Sequence, residues 1–189
     1  MDPLEFRLNN LSNPRMRRVL ETAARQFGWK AGRGPTGRGA GMACGMYSNA
    51  CNATIAEVAL NRATGAVQVR RIVMALDEGL VVNPAGMRQQ AEGCVMMGLG
   101  YSLTEEVRFR NGEVLDTNFD SYRIPRFSWL PKIEIVLVDN PQTPALGGGE
   151  PPIIAMGAAL ANAIFDVAGA RLLQLPMTPE RVKAALAKA

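Results

Sequence analysis

The sequence predicts an α+β fold in which the hairpins of a mixed sheet pack with buried Gly- and Ala-rich helices. Three observations carry that expectation: a 3.6-residue apolar period in one segment, clean alternation in another, and loop-linked β-prone pairs without regular βαβ succession. With 189 residues, 48% hydrophobic and 20% charged, the chain can bury a core and lies far from a disordered composition.

The first element is a helix over residues 14–28. Met16, Val19, Leu20, Ala23, Ala24 and Phe27 recur three or four apart on one face, Pro14 suits the first turn and Gly28 the end. Arg15, Arg17, Arg18 and Arg25 fall on the outer face, as on a solvated surface. Next comes GWKAGRGPTGRGAGMACG, a Gly-rich basic stretch without helical or strand periodicity. It reads as a connector or as a cradle of backbone amides for an anion. It lacks the G-K-[ST] of a Walker loop, and it follows a helix where a dinucleotide fingerprint needs a strand.

Residues 54–60 and 66–76 are β-prone runs flanking Asn61-Arg62-Ala63-Thr64-Gly65, a five-residue loop that suits a hairpin. After a turn-like stretch from 77 to 84, residues 85–103 form a long apolar segment containing Gly86, Gly93, Gly98 and Gly100. It is expected to be a buried helix whose glycines permit close packing, and whose Arg88, Gln89, Gln90 and Glu92 then need partners or a ligand. A second hairpin is expected over 105–110 and 113–117 across Asn111-Gly112, the strongest short turn signal in the chain. Residues 132–138 (KIEIVLV) alternate as a strand with one buried face. The Pro- and Gly-rich stretch 141–152 precedes an Ala-rich helix over 153–168, apolar nearly all round. A last helix over 179–188 has Thr178 as its cap and Pro179 in its first turn. No repeat or long linker divides the chain, although residues 1–40 (helix and Gly-rich connector) differ in character from 41–189.

Composition removes several function classes. The chain contains no histidine, so Ser-His-Asp triads, Cys-His nucleophiles and His-ligated metals are excluded, leaving carboxylates, Lys, Tyr or Cys for proton transfer. Cys44, Cys51 and Cys94 show neither C-x-x-C spacing nor a secreted framework, and read as small core residues. The net charge of +4 is local: residues 1–40 hold eight basic and three acidic side chains, the remainder 13 and 14. No interleaved aromatics or nucleic-acid motif accompany it, so no nucleic-acid partner is expected. The acidic, Pro-containing start and the lack of an uninterrupted apolar run of about 18 residues predict neither a leader nor a membrane span, and the cytoplasm is favoured.

The sharpest chemical feature is Leu146-Gly147-Gly148-Gly149-Glu150-Pro151-Pro152, a carboxylate delivered by a triple-glycine loop onto the start of an apolar helix. Such glycines open backbone conformations closed to other residues and let the main chain approach something bulky. Alternatively Glu150 only complements the helix dipole, an arrangement worth about 0.3 to 1 kcal/mol. The second feature is Gln90-Ala91-Glu92-Gly93, where buried polar groups invite either a ligand or mutual satisfaction in the core.

Taken together these motifs carry a resemblance. The run GAVQVRRIVMALDEGLVVNPAGMRQQAEG is similar to the cofactor-binding region of xanthine dehydrogenase and aldehyde oxidase family molybdopterin-binding subunits. It is followed in family order by GLGYSLTEEVRFRNGEVLDTNFDSYRIPRF, PKIEIVLVD and GGGEPPIIAMGAALANAIFDVAGARLLQLP. DPLEFRLNNL and GRGAGMACG extend the match over nearly the whole chain, which looks most like the branch that includes isoquinoline oxidoreductase and nicotinate dehydrogenase subunits.

The resemblance implies the C-terminal portion of a molybdenum-cofactor-binding domain spanning 1–189, with molybdopterin, alone or as a dinucleotide, shared with upstream sequence. It implies a molybdenum hydroxylase that oxidises an aldehyde or N-heteroaromatic carbon with water-derived oxygen. Glu150 takes the place of the general base, Gln90, Gly148 and Gly149 contact the cofactor, and Tyr122 and Arg123 resemble a segment near the substrate channel, with core packing an equal role for Tyr122. No direct metal ligand is assigned. The implied partners are the N-terminal part of the same subunit, a 2Fe-2S subunit, a FAD or cytochrome electron acceptor, and a small-molecule substrate. Members of that family run to several hundred residues, so the chain alone is expected to be inactive, its missing walls supplied by another polypeptide. The other possibility is a non-catalytic remnant or interaction domain of the same fold without molybdenum.

Overall fold

In the computed structural model, which describes residues 1–30 and 37–189, a four-stranded sheet lies between two helical layers. The strands are β1 (Arg38–Tyr47), β2 (Ala50–Leu60), β3 (Val67–Asp77) and, from later in the chain, β6 (Lys132–Leu137), in the order β1-β2-β3-β6. The first three pair antiparallel as a meander, while β6 runs parallel to β3. A register shift between Glu57 and Val58 marks a bulge.

One face of the sheet is covered by α2 (Pro14–Phe27), whose Met16, Val19, Leu20 and Ala23 meet Met42, Ala53, Ile55 and Ala75. The predicted stripe is the stripe used, and Gly28 ends the helix at φ +74. The other face carries α3 (Pro84–Leu103), α4 (Met156–Ala168) and α5 (Pro179–Leu186) around Ala56, Val58, Ile72, Met74 and Leu76. Alternation along β3 divides the cores: Met74 and Leu76 face one layer, Ala75 the other. The Asn111-Gly112 turn joins the two-residue strands β4 (Phe109–Arg110) and β5 (Glu113–Val114), both turn residues having positive φ as a type I′ turn requires.

Several expectations need correction. A short helix α1 (Pro3–Asn10), capped by Asp2, was not foreseen. The anion-cradle stretch lies partly outside the described residues, at 31–36, and from Arg38 onward it is strand β1. Its glycines have a packing reason: a Cβ on Gly39 would lie 2.3 Å from the Ala163 carbonyl oxygen, and one on Gly41 2.1 Å from the Ala163 nitrogen. The strand therefore rests directly on the backbone of α4. Arg15 and Arg17 are not a solvated face either, since Arg15 forks onto the buried Asp77 at 2.7 Å and Arg17 donates to the carbonyls of Leu8 and Leu11. Helix α3 is two-sided, with Ala91, Cys94, Val95 and Leu99 buried but Gln90, Glu92 and Gly93 exposed. Gly98 and Gly100 do sit against Met156 and Glu105, whereas Gly93 faces open space. Among the described residues, Pro151–Ala168 is long and apolar enough to cross a membrane by length and composition, although Asn162 and Asp166 interrupt its apolar run; here α4 packs on β1 and β2.

Candidate functional site

The loop that carries Glu150 runs along α3 and is tied down on both sides of that residue. Before it, Gln90 Nε2 donates to the Gly149 carbonyl at 3.1 Å, and the Cys94 thiol donates to the same oxygen at 3.1 Å. After it, the fully buried Asn52 of β2 donates through Nδ2 to the Pro151 and Pro152 carbonyls at 2.9 and 2.8 Å. The Thr54 hydroxyl donates to Asn52 Oδ1 at 3.0 Å, which fixes the orientation of the amide. Further on, the Tyr101 hydroxyl donates to the Ile153 carbonyl and accepts from the Gly157 amide.

Between these ties Glu150 has an α-region backbone and an exposed side chain at the start of a 3-10 turn, Pro151–Ile153, where it makes no capping bond. Helix α4 begins only at Met156. The expectation of a carboxylate set directly on that helix is therefore corrected, and complementing the α4 dipole is a poor explanation for Glu150, because that effect fades within the first turn.

The three glycines do not take positive φ. A Cβ on Gly148 would lie 2.4 Å from Met87 Sδ, the far end of a flexible side chain that can give way, while Gly147 and Gly149 have nothing within 4 Å. The polypeptide itself leaves room at both positions. Beside this loop is a hollow of about 350 Å³, lined among others by Glu78, Asn83, Met87, Gln90, Leu146 and Gly148.

Glu78 is the residue that sequence reasoning missed. It is 3% exposed, and neither carboxylate oxygen has a hydrogen-bond partner among the described residues. Its neighbour Asp77 is the opposite case. Burial works to raise that carboxyl, but bonds from Arg15, Gly79 and Asn140 outweigh it and hold Asp77 below its ordinary range. With Arg15 committed to Asp77, burial and the Asp77 charge push Glu78 up to about 7. Burial also raises the Cys94 thiol; the Gln90 bond opposes this, and the charges of Glu150 and Glu78 add to it. The stretch 77–84 reads as a turn, so nothing local flagged Glu78 as buried. Asn52 did leave a signal, a lone amide within the apolar run of β2.

Gln90, Gly148, Gly149 and Glu150 are thus brought together along one side of α3. Tyr122 and Arg123 are not. The Tyr122 hydroxyl donates to Glu105 at 3.1 Å and the Arg123 carbonyl accepts from Thr104. Both contacts lie past the C-terminal end of α3, about 20 Å along its axis from Gln90 at 1.5 Å per residue.

Residues 14–131 match the family model described as a molybdopterin cofactor-binding domain. A nicotinate dehydrogenase subunit of Pseudomonas putida is 36% identical over 98% of this chain and 17% of its own length. The beta subunit of isoquinoline 1-oxidoreductase from Brevundimonas diminuta is 37% identical over 94% of this chain and 23% of its own. Among solved structures, quinoline 2-oxidoreductase from Pseudomonas putida aligns at a TM-score of 0.67 and 28% identity, over 74% of this chain and 19% of that one. The aldehyde oxidoreductase of Desulfovibrio desulfuricans aligns at 0.65 and 32%, over 72% and 15%. The chain therefore spans less than a quarter of the length of each of these relatives.

Proposed function

Because the chain belongs to the molybdopterin cofactor-binding domain family, we propose that it forms one side of the cofactor site of a molybdenum hydroxylase, with Glu150 as the general base. The observation that carries this reading is the Gln90–Gly149 hydrogen bond, which anchors the Glu150 loop to α3 at the edge of the hollow. Two further features fit a bound pterin: a buried carboxylate, Glu78, that finds no donor among the described residues, and open space at Gly147 and Gly149 where side chains would stand.

The molybdenum centre supplies two-electron redox chemistry when bound. This chain contributes contacts and a proton acceptor. Gln90 keeps its amide oxygen for the cofactor while its Nε2 holds the loop, and Gly148 and Gly149 offer main chain at close range. Glu150, exposed and held from both sides, takes the proton from the water-derived oxygen that attacks the substrate carbon. The hydrogen bonds fall on the main chain to either side of it, at Gly149, Pro151 and Pro152, and leave its side chain free to meet the substrate.

Further polypeptide supplies the remaining walls of the site. The chain leaves Phe109, Phe119, Phe127 and Leu173 largely exposed, as a surface made to be covered does. The substrate class is an aldehyde or N-heteroaromatic, and electrons pass to a 2Fe-2S subunit and on to a FAD or cytochrome acceptor. Residues 1–189 then form a partial cofactor-binding domain, and Tyr122 and Arg123 line the approach to it rather than the hollow.

The test is Glu150→Gln in the assembled enzyme. Turnover is expected to vanish while molybdenum and pterin content stay near wild type. A Gln variant that turns over normally refutes the assigned role, and a wild-type assembly free of molybdenum and pterin refutes cofactor binding altogether.

A further inference from the structure

Glu78 is buried, only 3% exposed, and its backbone cannot relax to release it. The Leu146 amide donates to the Glu78 carbonyl, the Leu80 amide donates to the Thr143 carbonyl, and a Cβ on Gly79 would lie 2.1 Å from the Pro144 oxygen. The two loops are locked face to face, with the carboxylate held where neither oxygen finds a donor among the described residues. Buried polar groups are retained with a partner, so this one points to a donor that joins later.

The hollow that Glu78 lines narrows the chemistry of that donor. The Gln90 Nε2 group is spent on Gly149, and Asn83 Oδ1 accepts from the Gly86 amide. What these side chains leave toward a guest is two acceptors, the Glu78 carboxylate and Gln90 Oε1, and one donor, Asn83 Nδ2, which suits a ring carbonyl on the same guest. Met87, unbranched and adaptable, is the deformable part of the wall. Two adjacent N–H donors satisfy a carboxylate best, by the parallel pair of bonds that guanidinium groups make. The 2-amino-4-oxopyrimidine edge of a pterin carries that pair in its ring N–H and amino group.

The geometry points to Glu78 as a further cofactor-contacting residue, its carboxylate accepting from the aminopyrimidine edge of the pterin beside Gln90. This inference rests on the molybdopterin reading. Before the donors arrive the carboxyl is held up at about 7, first by burial and then by the charge of Asp77, with Arg15 opposing. Their arrival favours the ionised form.

The experiment compares wild type, Glu78→Gln and Glu78→Leu in the assembled enzyme, measuring fluorescence of the oxidised pterin released per mole of protein. Both variants should lose retained pterin about tenfold or more, the effect of removing one charge-assisted paired contact. The melting temperature of cofactor-free protein should stay level or rise, because the carboxylate removed had no partner. Wild-type pterin retention in both variants overturns the inference. So does a lowered melting temperature without cofactor, which would assign Glu78 to a cation elsewhere in the protein. Absence of pterin from wild type would sink the underlying cofactor reading instead.

Discussion

Asn52 offers the most direct test of how the Glu150 loop is held. Replacing it with Leu keeps roughly the volume but removes the two donors that serve the buried Pro151 and Pro152 carbonyls, and it strips the Thr54 hydroxyl of its acceptor. An unsatisfied buried acceptor costs about 1 to 3 kcal/mol, so two of them amount to about 2 to 5 kcal/mol after partial relaxation. That exceeds the effect of an ordinary surface change several times over. Denaturant titration should show the midpoint falling at an unchanged slope. Hydrogen exchange adds a local measure, because the Ile153 amide donates to the Glu150 carbonyl at 3.0 Å and should lose protection first. A loss below about 0.5 kcal/mol, with Ile153 still protected, would refute the claim that Asn52 holds this loop.

Two glycines should respond in opposite ways. Gly41→Ala drives a methyl into the α4 backbone and should cost about 3 kcal/mol or more, whereas Gly149→Ala meets nothing and should leave the fold within about 0.5 kcal/mol of wild type by the same denaturation assay. Glu78 should make cofactor-free protein pH-sensitive: the folded carboxyl titrates near 7 and the unfolded one near 4.5, so its contribution is full below 4.5 and is lost as pH rises through 7. The slope integrates to about 3 kcal/mol. It should disappear in Glu78→Gln, and equal stability of wild type at pH 5 and pH 8 would contradict the burial argument. Arg15→Met should destabilise by about 3 kcal/mol or more by leaving the Asp77 carboxylate, 1% exposed, without its cation, as thermal melting can show.

The elements legible in the sequence are those whose causes are local. The stripe of α2, the Gly65 and Asn111-Gly112 turns and the Thr178 cap of α5 each arise from residues a few positions apart. Strand β1 was illegible because RGAGMAC lacks alternation for a distant reason, the α4 backbone lying where side chains would stand. Helix α1 buries no residue and so gives no apolar pattern. The two-sidedness of α3 was hidden by glycines that score as apolar, although Gly93 is exposed and only Gly98 and Gly100 are packing positions. At the candidate site the motif located Gln90 and the glycine loop but not what restrains them. Asn52 lies about 100 residues from the carbonyls it serves, and the burial of Glu78 comes from contacts of its loop with residues 143–146. Such pairings are set by topology, and local patterns do not encode them.

The contact of β1 with α4 has a kinetic consequence. More than a hundred residues separate Gly41 from Ala163, so their docking closes one of the longest loops in the chain and is entropically among the most demanding events of folding. The segment bearing Glu150 leads directly into α4 and is held by β2 and α3, so its final placement draws on elements far apart in the chain. The meander of β1, β2 and β3 closes only short loops, so the place for a guest is the part of the fold whose assembly carries the larger entropic cost.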